Sequence, residues 1–193
     1  MEITRKKLIT FLNILIFLLL FTFLVINFYT TPVTKNIDEY IYNLPYQKGT
    51  KHRIVQGYGG LFSHSNIAAL DFAMPIGTPV CAAREGVIYS YKDGSNEGGI
   101  SFSNKNKANY IIVKHSDGSF ACYWHLKQNG VLVKKGSVTK GQQIGLSGAT
   151  GLAIRPHLHF SVKRVLNYEM NSFLKTRFET EDGVEFLENG REY

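Results

Sequence analysis

The sequence is poor in the residues that mark several protein classes. It holds five prolines in 193 residues, too few for a disordered or polyproline-rich chain. Its two cysteines, Cys81 and Cys122, lack metal-ligand spacing. No compact Arg/Lys run interleaved with aromatics is present, so nucleic acid is not an expected partner. No internal repeat of about 20–50 residues appears. After residue 45 no stretch keeps a helical period, which argues against a helical domain. One long stretch also lacks charge: residues 8–29, LITFLNILIFLLLFTFLVINFY.

That uncharged run follows Arg5, Lys6 and Lys7. As a helix it is long enough to cross roughly 30 Å of hydrocarbon. It ends without an Ala-x-Ala cleavage site, which favours an uncleaved transmembrane signal anchor over a cleaved signal peptide. The basic residues form a cytoplasmic segment, 1–7, and everything after residue 30 is expected outside the cytoplasm. Phe28 and Tyr29 suit the interfacial belt. Residues 30–50 read as a linker, with one helical turn expected over Ile37–Tyr42. Export permits a Cys81–Cys122 disulfide, and two buried free thiols fit the strands around them equally well. The net charge of +7 leaves the exported part mildly basic, which favours anionic partners.

From His52 onward the texture is β: HRIVQGY, LDFAM, TPVCAA, GVIYSY, NYIIVKH, SFACYWHL and HLHFSV, punctuated by Gly, Pro, Asp and Asn. Asp117-Gly118 marks a hairpin. KDGSNEGGISFSNKNKAN, residues 92–109, is polar, glycine-rich and long for a hairpin loop, and loops of that length in compact domains are often functional or mobile. The expected architecture is mostly β: a single antiparallel sheet domain with an open groove, behind one N-terminal transmembrane helix. A core domain over 51–165 carries a β extension over 166–193.

The chemistry gathers around RPHLHFSV. In a strand, residues i and i+2 share a face, so His157 and His159 point the same way. Upstream, Asp71 sits in the apolar strand ALDFAM, where an unpaired carboxylate is costly. His64 lies in a turn-like segment before it. Zinc accepts imidazole nitrogen and carboxylate oxygen, and catalytic sites use three protein ligands plus water. His64, Asp71 and one HLH histidine make such a set. In ACYWHL the same period puts Tyr123 and His125 on one face, with Trp124 and Cys122 on the other.

SHSNIAALDFAMPIGTPVCAAREGVI, YWHLKQNGVLVKKGSVTKGQQIG and GATGLAIRPHLHF, in that order over residues 45–165, resemble the lysostaphin-type (LytM-like) zinc peptidases that cut peptidoglycan. The resemblance implies zinc held by His64, Asp71 and His159, with His125 and His157 as the unligated catalytic pair. Tyr123 is a weaker candidate for a supporting hydroxyl. Together with the uncharged run over 8–29, the resemblance implies a membrane-anchored zinc metalloendopeptidase of the bacterial envelope. That enzyme would hydrolyse amide bonds in peptidoglycan stem peptides or cross-bridges from the extracytoplasmic side of the inner membrane. Two other functions fit the same text: a non-catalytic wall-binding or regulatory module, and a peptidase of secreted protein. Two features depart from the family pattern. Six residues, SNIAAL, separate His64 from Asp71 where many members have three, and LAIRP replaces a small Gly/Ser/Thr turn, which bears on substrate preference.

Overall fold

The computed structural model describes residues 2–30, 36–60, 63–167, 169 and 172–193, with the side chains of residues 2–6 and 23–30 outside that description. Two compact units result, Met1–Pro32 and Val33–Tyr193.

The first unit is one helix, α1, Glu2–Thr30. Its run of Leu, Ile and Phe contains no Gly or Pro to break the backbone hydrogen bonding. The described side chains, residues 7–22, are exposed. Among the described residues no helix is long and apolar enough to cross a membrane. The run 8–29, expected as a transmembrane anchor, lies within this helix. The side chains of Arg5, Lys6, Phe28 and Tyr29 lie outside the described residues.

The second unit is mostly β. Its strands are β1 (Ile37–Asn43), β2 (Ile54–Gln56), β3 (Ala69–Ala73), β4 (Pro79–Cys81), β5 (Gly86–Lys92), β6 (Gly98–Gly99) and β7 (Asn109–Lys114). They continue with β8 (Phe120–Val131), β9 (Ser137–Val138), β10 (Gln143–Ser147), β11 (Gly151–Leu152), β12 (His157–Lys163), β13 (Phe173–Thr180) and β14 (Gly183–Glu185). Twelve form one sheet whose main path is β1-β13-β12-β8-β7-β5-β9. The hairpin turn expected at Asp117-Gly118 joins β7 to β8, with Gly118 at φ 84, where glycine carries no Cβ penalty.

Three expectations are corrected. The sheet is not wholly antiparallel: β1 runs parallel to β13, and β11 pairs in parallel with β6 in a separate two-stranded sheet. Ile37–Tyr42 is strand, not a helical turn. Its buried Tyr42 packs on Phe160 and Phe178, and that tertiary contact overrides a weak local propensity. Tyr123 does not share a face with His125. It is fully buried on the core side, where its hydroxyl accepts the Ala83 backbone N–H at 2.9 Å. Of the alternatives open for the cysteines, the structure has both as buried free thiols. Burial pushes the Cys122 thiol up to about 12, so it is no thiolate at neutral pH.

Strand β12 divides the molecule's two tasks. Leu158, Phe160 and Val162 point into the core, while His157 and His159 point to the opposite face. Phe160 meets Tyr123 at 5.2 Å and Phe178 at 5.9 Å between ring centroids. Phe160→Ala removes the middle of that aromatic cluster and is expected to cost about 3–5 kcal/mol of stability. Urea unfolding checks it; a loss below about 1 kcal/mol would mean the core closes over the gap.

Candidate metal centre

Three elements meet at the site. Strand β3 lies beside β12 with Asp71 directly opposite His159. Cross-strand partners share a face, so carboxylate and imidazole are adjacent by register alone. His64 comes from the turn that links β2 to β3. Its carbonyl accepts the Ile67 N–H at 3.0 Å, which tightens the turn, and the side chain is fully buried.

The three side chains converge. His64 Nε2 lies 3.1 Å from His159 Nδ1 and 3.2 Å from Asp71 Oδ1, and His159 Nδ1 lies 2.9 Å from Asp71 Oδ1. His64 Nδ1 donates to the Gly57 carbonyl at 3.1 Å. A carbonyl only accepts, so the proton sits on Nδ1 and the Nε2 lone pair faces the other two atoms. Ligands about 2.0–2.1 Å from one tetrahedral zinc lie about 3.3 Å apart. The observed triangle of 2.9–3.2 Å fits that spacing. Among the described residues, these three form the one His/Cys/Asp/Glu group able to hold a metal ion.

The electrostatics agree with a cation site. Burial pushes the Asp71 carboxyl up, but the neighbouring His159 and His64 imidazoles together outweigh it and hold the group well below the usual carboxylate range. Asp71 is therefore an anion in a nearly closed setting. His159 is shifted down by burial despite its bond to Asp71, which keeps the imidazole in the neutral form a metal needs.

Sequence reasoning missed Gln56. Its Nε2 donates to Asp71 Oδ2 at 3.3 Å and to Ser63 Oγ at 2.7 Å. One buried amide thus ties the carboxylate to the residue before His64. A lone glutamine in HRIVQGY gives no sign of this, because its partners are set by the β2–β3 pairing. Gln56→Leu is expected to weaken zinc affinity about tenfold or more, as loss of a group holding a ligand does. Titration against a chromophoric chelator reads it, and unchanged affinity would remove Gln56 from the site.

The other two expected residues stand beside the triangle. His157 Nε2 is 3.7 Å from Asp71 Oδ1, and its Nδ1 donates to the Arg155 carbonyl at 2.8 Å. The His125 ring lies 4.6 Å from that of His157 and 6.0 Å from that of His159. His125 Nδ1 donates to the Thr150 carbonyl at 2.7 Å, which leaves Nε2 bare. Burial first, then the neighbouring His157 and His159, push His125 down to about 3, so it is a neutral acceptor at neutral pH. All five expected site residues, His64, Asp71, His125, His157 and His159, are thus in one cluster. The loop over 92–109 is held nearby through β6, which pairs with β11 immediately after Thr150.

The family model described as Peptidase family M23 matches residues 65–172, beginning one residue after His64. Among curated relatives, the peptidoglycan DD-endopeptidase ShyA of Vibrio cholerae is 41% identical over 93 residues, covering 48% of this chain and 19% of that protein. A protein named as an uncharacterized metalloprotease from Buchnera aphidicola is 41% identical over 112 residues, covering 56% of this chain and 26% of its own length. The chain therefore spans only about a fifth to a quarter of these relatives. Among solved structures, the antimicrobial peptidase lysostaphin from Staphylococcus simulans aligns with TM-score 0.48 and 33% identity, over 63% of this chain and 46% of that one.

Proposed function

The chain belongs to peptidase family M23, and we propose from this that it is a zinc metalloendopeptidase hydrolysing amide bonds in peptidoglycan stem peptides or cross-bridges. The observation that carries the reading is the convergence of His64, Asp71 and His159 on one point. The names of the similar ShyA-type endopeptidases favour peptidoglycan as substrate. In this reading His64 Nε2, Asp71 Oδ1 and His159 Nδ1 hold zinc. Bound zinc supplies Lewis acidity, acidifying water and polarising the scissile carbonyl.

The remaining work falls to this chain's own groups. His125 is neutral, its Nδ1–H is committed to Thr150, and its free Nε2 accepts the proton that water gives up as its oxygen bonds the carbonyl carbon. His157 is oriented in the same way by the Arg155 carbonyl and stands next to Asp71. The pair returns the proton to the leaving amine as the C–N bond breaks, so one water is consumed per amide. Ile154 and Arg155 are exposed just before His157, and in this reading they bias which peptide reaches the site.

The test is mass spectrometry of muropeptides released from purified sacculi by the full chain in detergent. Zinc-dependent appearance of cleaved cross-links, abolished by EDTA and restored by zinc, is expected. Intact sacculi with stoichiometric zinc bound would refute hydrolysis. Placement in the bacterial envelope follows from the same substrate. Attachment of the domain by residues 8–29, on the extracytoplasmic side of the inner membrane, is supported by the uncharged sequence behind Arg5, Lys6 and Lys7. Extraction of membranes at alkaline pH tests it: an anchored chain stays in the pellet, and a chain found in the supernatant is not anchored.

A further inference from the structure

Strand β8 carries one residue too many where it faces β7. Asn109 pairs with Leu126, yet the next residue, Tyr110, pairs with Trp124. His125 is the unpaired extra residue of a β-bulge, a device that re-aims a side chain. Its backbone is left-handed, φ 65. A non-glycine residue keeps that conformation only where its surroundings over-determine it. The question is what holds His125 there.

Thr150 spans the bulge. Its side-chain oxygen accepts the Asn109 backbone N–H at 2.9 Å and donates to the Leu126 carbonyl at 2.7 Å, both bonds buried. Asn109 and Leu126 are the pair that closes the bulge. The carbonyl of the same Thr150 accepts from His125 Nδ1 at 2.7 Å. One residue therefore fastens the two strands on either side of His125 and also holds its ring. The chain beyond is fixed too: the Gly151 N–H donates to the Glu97 carbonyl at 2.9 Å. A Cβ on Gly151, at φ 82, would meet Ala108 Cβ at 2.5 Å, so Thr150 has little freedom to shift.

We propose that Thr150 is the positioning residue for His125: its hydroxyl bolts the bulge, and its carbonyl fixes the ring as the Nδ1–H tautomer with Nε2 bare. This rests on reading His125 as the proton carrier, but its structural half stands apart from activity. The hydroxyl is what distinguishes the role from a generic buried side chain. Thr150→Val keeps the shape and removes both side-chain hydrogen bonds, whereas Thr150→Ser keeps them.

The experiment is nitrogen-15 NMR of ring-labelled histidine in the zinc-loaded full chain in detergent, with His125→Ala identifying the signal. Wild type is expected to show His125 as a single neutral Nδ1–H tautomer. Thr150→Val should convert it to a tautomer mixture, and Thr150→Ser should restore the single form. In parallel, Thr150→Val should lower kcat about tenfold to a hundredfold with KM within about twofold and zinc content intact, and Thr150→Ser should recover most of it. An Nε2–H tautomer of His125 in wild type would overturn the proposal, whatever the Thr150 variants do. So would a Thr150→Val protein that keeps both the single tautomer and its turnover. A wild type inactive on sacculi would count against the functional reading alone, because the tautomer pattern would still decide the role of Thr150.

Discussion

His159→Ala is expected to cost the chain its zinc. The imidazole supplies one of three ligand atoms, and its removal leaves His64 Nε2 and Asp71 Oδ1, 3.2 Å apart, to hold the ion alone. Catalytic zinc sites use three protein ligands, and loss of one should weaken affinity by at least about a thousandfold. Elemental analysis after dialysis should find about one zinc per chain in wild type and close to none in the variant. Stability should report the same loss. Metal that binds only the folded chain stabilises it by about 4 kcal/mol when present at a thousand times its dissociation constant. Wild-type Tm should therefore rise with added zinc, while the variant's should not. A variant that retained zinc would move the third ligand elsewhere, with His157, two residues along the same face, the first alternative.

His125→Ala and His157→Ala should separate chemistry from metal binding. Both rings stand beside the triangle without belonging to it, and each spends its Nδ1 proton on a backbone carbonyl. Neither loss removes a zinc ligand, so zinc content should stay near wild type. Positioned general acid–base groups contribute about 10²–10⁴ in rate, and turnover on sacculi should fall by that order. KM should move much less, because a proton carrier acts in the transition state rather than in ground-state binding. Loss of zinc in either variant would place that histidine among the ligands. Full activity in both would transfer the proton chemistry to another group.

The reasons some features could be read from the sequence, and others could not, are physical. The alternation in HLHFSV is local: a strand sends Leu158 and Phe160 one way and His157 and His159 the other, whatever the strand pairs with. Asp71 declared itself because a carboxylate in ALDFAM needs a partner. His125 defeated the same rule of two. Its bulge exists only because β7 and β8 pair with one residue out of step, and that register lies in contacts between distant segments. The slip moves His125 off the face of Tyr123 and onto that of Trp124. Trp124 pairs with His159, and Tyr123 turns into the core against Phe160. Gln56 and Thr150 are ordinary residue types whose importance comes from partners far along the chain, Asp71 and His125. Residues 37–43 were hidden for a similar reason. Their strand is completed by β13, which lies more than a hundred residues later.

The convergence of His64, Asp71 and His159 is tested most directly by X-ray absorption at the zinc edge of the purified full chain. The expected spectrum has nitrogen and oxygen ligands at about 2.0–2.1 Å, with the outer-shell scattering of two imidazoles and none from sulfur. A sulfur shell, a single imidazole, or a chain that takes up no zinc would contradict the site at its root.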